Sequence, residues 1–106
     1  MSKSNYTVVL STCENEEQAK VIINALLEKK LVACVQLQNI TSYYTWKGAV
    51  ENGSEVLMLI KTSMEHYDEV EECIKSNHPY ETPEIICVPV TKGFTAYLSW
   101  IDEVTK

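Results

Sequence analysis

The sequence contains no arginine and only nine lysines, which stand against fifteen acidic residues and give a formal net charge of −6 at pH 7. The lysines are scattered and form no basic stripe. Phosphate backbones and anionic lipids are bound largely through clustered Lys and Arg, so neither nucleic acid nor a membrane surface is an expected partner. An acidic balance of this kind favours cations instead.

Long apolar runs are also lacking, and no segment approaches the length of a membrane span. The apolar run that follows residues 1–5 is too short for a signal peptide and shows no cleavage pattern, so we expect a cytoplasmic protein. The four cysteines, Cys13, Cys34, Cys73 and Cys87, include no Cys-x-x-Cys pair. We therefore expect reduced thiols, and the spacing excludes zinc-ribbon and thioredoxin-type sites.

Hydrophobic periodicity predicts a single domain over residues 1–106 with the order β-α-β-β-α-β and a closing helix. This order is typical of an α+β, ferredoxin-like βαββαβ sandwich with a C-terminal helix, in which the second and fourth strands lie at the sheet edges. Pro89 in the fourth strand agrees, because edge strands tolerate proline. The predicted strands are residues 6–12, 31–46, 54–62 and 84–90, and the predicted helices are residues 15–30, 64–77 and 95–104.

Two dipeptides between the second and third strands are turn signals. They are Lys47-Gly48 and Asn52-Gly53. Asn-Gly is the stronger hairpin cue, because both residues of a type I′ turn need positive φ. The sequence therefore predicts that the third strand starts only after Gly53.

The predicted strands are apolar on both faces, which two helices cannot cover. Leu57 and Leu59 alternate with Val56 and Met58, whereas a sheet with one solvated face should alternate apolar with polar residues. The second strand, residues 31–46, is also far longer than the usual five or six residues and must overhang its sheet. We expect a homo-oligomer; the alternative is that this run breaks into a strand and a loop, and that the closing helix covers the open face.

His78 opens a rigid segment, residues 78–84, that is framed by two prolines. Imidazole is a common metal ligand and titrates near neutrality, but a histidine at a helix end can equally interact with the last carbonyls. Cys34 lies in mid-strand and is either a small apolar filler or, if His78 contacts it, a nucleophile. These alternatives stay open on the residues alone.

Taken together, five ordered segments resemble the CutA family, which is named for divalent-cation tolerance. The resemblance covers essentially the whole domain and implies ferredoxin-like subunits assembled as a homotrimer, similar in plan to PII-like signalling proteins. It implies a non-enzymatic role in the response to divalent metal ions, with no cofactor beyond a divalent metal such as copper. The alternative function is a trimeric scaffold that binds a small molecule or a partner protein. The segments are residues 31–35, 41–48, 55–62, 78–84 and 97–101.

The same resemblance implies candidate ligands. The family's proposed copper ligands are a cysteine at the end of the first strand and two adjacent histidines before Pro-Tyr; here those positions hold Ser11 and Asn77-His78, with Cys13 two residues after Ser11. His78 and Cys13 are therefore the predicted metal ligands. By resemblance and polarity, a second set of side chains is predicted to line an intersubunit cleft. This set is Cys34, Tyr44, Trp46, Glu55, Lys61, Tyr80 and Glu84.

Overall fold

The computed structural model describes residues 5–106, so the expectation about the first residues lies outside the described part. The predicted α+β order, βαββαβ with a closing helix, is confirmed. The strands are β1 (Tyr6–Cys13), β2 (Cys34–Trp46), β3 (Ala49–Ser63) and β4 (Ile85–Val90). The helices are α1 (Glu16–Glu28), α2 (Tyr67–Asn77), which follows a 3-10 turn at Met64–His66, and α3 (Thr95–Val104).

The four strands form one antiparallel sheet in the order β2-β3-β1-β4. The second and fourth strands therefore lie at the edges, as predicted. Pro89 sits within β4 opposite Thr7 of β1, and an edge position leaves room for a residue without an N–H.

The hydrophobic core lies between the sheet and the helices α1 and α2. Alternate residues of the central strands, including Val9 and Ile60, are fully buried against Ile22 of α1 and Ile74 of α2. Full burial of such a side chain contributes about 1.5–3 kcal/mol relative to leaving it in water. This layer fixes which face of each strand points inward, and so which residues remain for a site on the other face.

The helix α1 begins where the sequence places a capping residue. The Asn15 side-chain oxygen accepts a hydrogen bond from the Gln18 N–H at 2.9 Å, which satisfies one of the free donors of the first turn. Such a cap is worth about 1 kcal/mol, and Glu16 and Glu17 add negative charge at the positive end of the helix. Lys30 then adopts a left-handed backbone with φ 57° and redirects the chain toward β2.

The β2–β3 turn is at Lys47-Gly48, and the prediction that β3 starts after Gly53 is wrong. Lys47 and Gly48 have φ values of 51° and 80°, as a two-residue primed turn requires. Asn52 and Gly53 lie inside β3 and pair with β2. The tight turn sets a continuous register along both strands, and the added pairs outweigh the local preference of Asn-Gly.

The two long strands of this hairpin extend beyond the rest of the sheet. β1 pairs with β3 only as far as Cys13 opposite Val56, while β2 stays paired to the turn. Residues 40–46 and 49–55 thus form a two-stranded extension, which we call the ribbon. The predicted overhang is confirmed, and both strands take part in it. β2 is unbroken from Cys34 to Trp46, so the alternative of a short strand and a loop is wrong.

The sheet face opposite α1 and α2 is apolar and largely uncovered in the single chain; we call it the open face. Leu57 and Leu59 are half-buried there, and Ile86 and Val88 of β4 are 51% and 45% exposed. The two-sided apolar pattern predicted from the strands is therefore present in the fold. A monomer would leave this contiguous patch in water, which is unfavourable.

The closing helix α3 covers one end of the open face. The Tyr6 hydroxyl donates to the Asp102 carboxylate, and the Lys61 ammonium lies 5.5 Å from the centre of the Tyr97 ring. Ile101 is buried, and Tyr97 is 39% exposed in the single chain. Within residues 5–106, no helix has the length and hydropathy needed to cross a membrane.

Candidate functional site

A cavity of about 750 Å³ opens between the ribbon and the connector from α2 to β4 (residues 78–84). We call it the ribbon cavity. It brings together five of the seven predicted cleft residues, which are Tyr44, Trp46, Glu55, Tyr80 and Glu84. Its other lining residues are Thr12, Ser42, Tyr43, Glu81, Thr82 and Pro83.

Glu55 is the central polar group of the ribbon cavity. Its Oε1 accepts a hydrogen bond from Ser42 Oγ at 2.6 Å, and its Oε2 accepts one from Tyr80 Oη at 3.3 Å. Burial and the Glu55 charge raise the pKa of Tyr80 to about 12, so the phenol stays protonated and remains a donor at neutral pH. The carboxylate is thus held in one orientation by two donors from different elements.

The charge of the ribbon cavity is negative. Glu55, Glu81 and Glu84 line it, and none of the described lining residues is a lysine. The carboxylates do not converge, since no group of three or more His, Cys, Asp or Glu side chains in residues 5–106 is arranged to hold a metal ion. The cavity can therefore attract a cation by charge, but it does not present a preformed coordination shell.

His78 lies against the end of β1, and both of its ring nitrogens are engaged. Nδ1 accepts a hydrogen bond from the Tyr80 N–H at 3.1 Å, so Nε2 carries the proton of the neutral ring and donates it to the Thr12 carbonyl at 2.7 Å. The ring also packs against the Tyr80 ring in a tilted arrangement, with centroids 4.6 Å apart and an interplanar angle of 55°. His78 therefore anchors the connector to the sheet, and through Tyr80 it supports the wall of the ribbon cavity.

Cys13 lies next to His78, with Sγ 3.9 Å from His78 Nε2. Two ligands of one metal ion have to be close together in this way. The thiol is fully buried, and burial together with the Glu55 charge raises its pKa to about 11. Metals bind the thiolate and an unprotonated imidazole nitrogen; burial disfavours the Cys13 thiolate, and the unprotonated Nδ1 of His78 already accepts the Tyr80 N–H. The pair does not fit a metal centre in this arrangement, because binding would require the His78 bonds to Thr12 and Tyr80 to break.

Ser11 and Asn77, at the other two ligand positions that the resemblance implies, do not complete such a site. The Asn77 side chain donates back to the Cys73 carbonyl at 2.8 Å. Ser11 is buried on the helix-facing side of β1, opposite Met58. We therefore derive no metal chemistry at this end of the first strand, and ligation by His78 and Cys13 stays a prediction.

Cys34 and Lys61 lie outside the ribbon cavity. They are paired across β2 and β3 near the opposite end of the sheet. Thr12, which His78 contacts, is level with Gln38, four residues along β2 from Cys34, which corresponds to about 13 Å. The Cys34–His78 contact that the thiol-enzyme alternative needs is therefore not made within the described residues of the single chain.

Sequence reasoning missed Ser42 as a site residue. Ser42 pairs with Gly53 across the hairpin and is a diagonal neighbour of Glu55 on the same face, which is what lets the two side chains bond. This relation follows only if the turn is placed at Lys47-Gly48. Had Lys47-Gly48 been chosen as the turn from the sequence, the resulting register would have placed Ser42 beside Glu55.

The sequence and the fold were compared with those of known proteins. A family model described as the CutA1 divalent ion tolerance protein matches residues 7–104. A mouse protein named Protein CutA is 49% identical over 96 residues, which cover 90% of this chain and 54% of the relative. The chain thus spans about half the length of that relative. The divalent-cation tolerance protein CutA of Escherichia coli is 43% identical over 102 residues, 95% of this chain and 91% of the relative.

The fold is also similar to that of a solved structure. The periplasmic divalent cation tolerance protein CutA from Archaeoglobus fulgidus superimposes with a TM-score of 0.93 at 38% identity, covering 95% of this chain and 99% of that one. The likeness in sequence and in fold therefore extends over almost the whole chain.

Proposed function

This chain belongs to the family of CutA1 divalent ion tolerance proteins, and from that premise we propose that it acts as a non-enzymatic, cytoplasmic homotrimer whose intersubunit clefts bind divalent cations weakly. The observation that carries the proposal is the ribbon cavity, which gathers five of the seven predicted cleft residues, Glu55 among them, at the margin of an apolar, largely uncovered sheet face. The four free cysteines support a reducing compartment.

Assembly is supported by two features of the sheet. The open face, which includes Leu59, Ile86 and Val88, leaves apolar side chains without a covering layer. The ribbon also presents a β3 edge, residues 49–55, that pairs with β2 alone. Other copies of the chain can cover the face and pair with the edge, and closed symmetry then limits the number of copies. Three is the number that the resemblance to the family implies.

Weak cation binding is supported by the ligand types in the cleft. Carboxylate oxygens suit hard divalent cations, but separated carboxylates leave most of the coordination shell to water. A soft ion such as copper prefers thiolate and imidazole ligands. Burial disfavours the Cys13 thiolate, and both ring nitrogens of His78 are already hydrogen-bonded, so we expect the carboxylate cleft to be the primary cation site.

Calorimetric titration of the trimer with Mn²⁺ tests this assignment. We expect Glu55→Gln to lower the affinity several-fold, because it removes the fixed charge, while His78→Ala and the remote control Glu65→Gln change it little. Loss of binding in His78→Ala, with Glu55→Gln unaffected, would move the site to the Cys13–His78 pair. Light scattering on the same samples checks the trimer, and a monomer would overturn the assembly.

A second candidate function, a PII-like scaffold that binds a small molecule or a partner protein, is favoured by the size of the ribbon cavity. Its volume of about 750 Å³ falls within the roughly 300–1,000 Å³ typical of small-molecule sites. A thermal-shift screen of divalent metals against nucleotides and metabolites separates the two functions. A large shift with a metabolite and none with any metal would favour the scaffold.

A further inference from the structure

We infer that the ribbon cavity binds an organic ammonium cation, and binds it more tightly than a bare divalent metal ion. The inference rests on the proposed function in one respect, since it uses the same acidic cleft at the subunit margin. It adds the chemical class of the ligand. Three independent properties of the cavity lead to it, namely its size, its aromatic faces and its unpaired charge.

Size is the first property. A cavity of about 750 Å³ is far larger than a dehydrated metal ion, and its carboxylates are not gathered into a three-ligand group. A metal ion would therefore stay mostly hydrated there. An organic cation can fill such a space with its carbon atoms and contact the walls directly, which a hydrated ion cannot do.

Aromatic faces are the second property. Tyr44 and Trp46 line the cavity, so a ligand bound there can contact their rings. Aromatic faces attract ammonium groups within about 6 Å of the ring centre, most strongly at Trp. The chain already shows this preference, because the Lys47 ammonium lies 5.9 Å from the centre of the Trp46 ring.

Charge is the third property. Glu55 is oriented by Ser42 and Tyr80, and each of its oxygens retains a lone pair for a further donor. Lysines are absent from the described lining, and the single ion pair found within residues 5–106 joins Lys106 to Glu69 away from the cavity. The cavity charge is therefore available to a ligand. Carboxylates beside aromatic rings form the combination that recognises an ammonium group carrying carbon substituents.

Tryptophan fluorescence provides the test, because the sequence contains only two tryptophans. In a Trp100→Phe trimer, Trp46 is the sole reporter. We expect choline, added at constant ionic strength against NaCl, to give a saturable change, and MnCl₂ to give half-saturation at a concentration at least tenfold higher. Spermidine is titrated in a separate arm, which tells a methylated ammonium ligand from a primary amine.

Matched variants locate the response. Glu55→Gln should weaken choline or spermidine binding at least tenfold, and Glu65→Gln should leave it unchanged. By calorimetry, Trp46→Leu should also weaken it, which a purely ionic contact would not show. The inference is overturned if neither amine saturates, or if both glutamate variants behave alike, in a sample that light scattering shows to be trimeric.

The same experiment separates this inference from the proposed function. Glu55-dependent Mn²⁺ binding without amine binding would overturn the inference and leave the proposed function standing. Amine binding without any Mn²⁺ binding would overturn the proposed function and leave the inference standing.

Discussion

The two halves of the strand β3 differ sharply, although the strand is continuous. Its second half, residues 56–62, lies between β1 and β2, and there Val56, Met58 and Ile60 are buried under the helices. Its first half, residues 49–55, belongs to the ribbon and pairs with β2 alone. The first half is mostly polar or exposed and carries Glu55. The comparison teaches that the buried apolar packing lies in the embedded half, whereas the ribbon carries polar and aromatic side chains that line the cavity.

The largest difference between the halves should be in how much the truncation of a side chain lowers the free energy of unfolding, because only the embedded half buries its apolar side chains. We expect Ile60→Ala to lower the free energy of unfolding by about 2–5 kcal/mol, because it removes a fully buried side chain from the core. Val50→Ala in the ribbon, where Val50 is 77% exposed, should change it by less than about 0.5 kcal/mol. Urea denaturation of both variants measures the contrast. Similar losses would show that Val50 is packed as tightly as Ile60 in solution and would remove the contrast between the halves.

A smaller change in the free energy of unfolding should come from removing a buried hydroxyl that packs against the embedded half. Ser11 lies opposite Met58, and within the part of the chain that the structure describes its buried hydroxyl has no hydrogen-bond partner. We expect Ser11→Ala to raise the free energy of unfolding by about 1–3 kcal/mol, since it removes an uncompensated desolvation cost.

Ser63→Ala is the matched control for that change. Ser63 is also buried in β3, but its hydroxyl lies 2.7 Å from His66 Nδ1. Its removal should destabilise the protein. If thermal unfolding shows that both alanine variants are less stable, then the Ser11 hydroxyl is satisfied in solution.

Within the ribbon, the two glycines should respond in opposite directions. Gly48 has φ 80°, which an alanine adopts at a cost of about 1–2 kcal/mol, so Gly48→Ala should destabilise the hairpin. Gly53 has no positive φ, and a Cβ there would meet nothing within 4 Å, so Gly53→Ala should be neutral or stabilising by up to about 1 kcal/mol. Chemical denaturation of the pair tests the position of the turn, and equal losses would argue for a turn at Gly53.

The smallest effect should be a pH dependence at the junction of the two halves. Burial and the Glu55 charge raise the pKa of Tyr80 from 10 to about 12, so the folded state favours the protonated phenol. This contribution to stability is fully present below pH 10, where the unfolded phenol is also protonated, and is lost as the pH rises toward 12. Between pH 9 and 11, we expect the melting temperature of Tyr80→Phe to fall less steeply than that of the wild type.

Tyr43→Phe is the control for the alkaline series, because Tyr43 lines the same cavity but is largely exposed. It should retain the slope of the wild type. Equal slopes in all three proteins would show that the phenol of Tyr80 is not held against Glu55. Burial also raises the pKa of Cys13 and Tyr67, so part of the slope will remain in Tyr80→Phe.

Much of the fold could be predicted because it depends on patterns that repeat along the chain. The helical spacing around Ile22 and Val70 places α1 and α2, and the two-sided apolar run around Met58 predicts an uncovered sheet face. The turn could not be predicted reliably, because Asn52-Gly53 is the better local cue. The register of the whole hairpin overrides this cue. That register is stabilised by all the β2–β3 residue pairs together, and no single dipeptide reveals their combined contribution.

The sequence indicated several residues of the candidate site, but it could not indicate the role of His78. Polarity and resemblance indicated Tyr44, Trp46 and Glu55, which do meet in one cavity. The hydrogen bonds of His78 could not be predicted from the sequence, since its partners are a carbonyl from β1 and an N–H from the connector. The same residue can be a ligand or an anchor, and only its hydrogen-bond partners distinguish the two roles.

The sequence by itself determined the order of elements, the edge strands, the two-sided apolar sheet and the acidic character of the molecule, because each follows from composition or from spacing along the chain. The tertiary structure decided where the hairpin turns, which side chains share the ribbon cavity, and that Cys13 meets a His78 ring whose two nitrogens are already hydrogen-bonded. These features join Thr12, Ser42, Glu55 and Tyr80, which are distant in sequence. Only strand register and the packing of the connector bring them together.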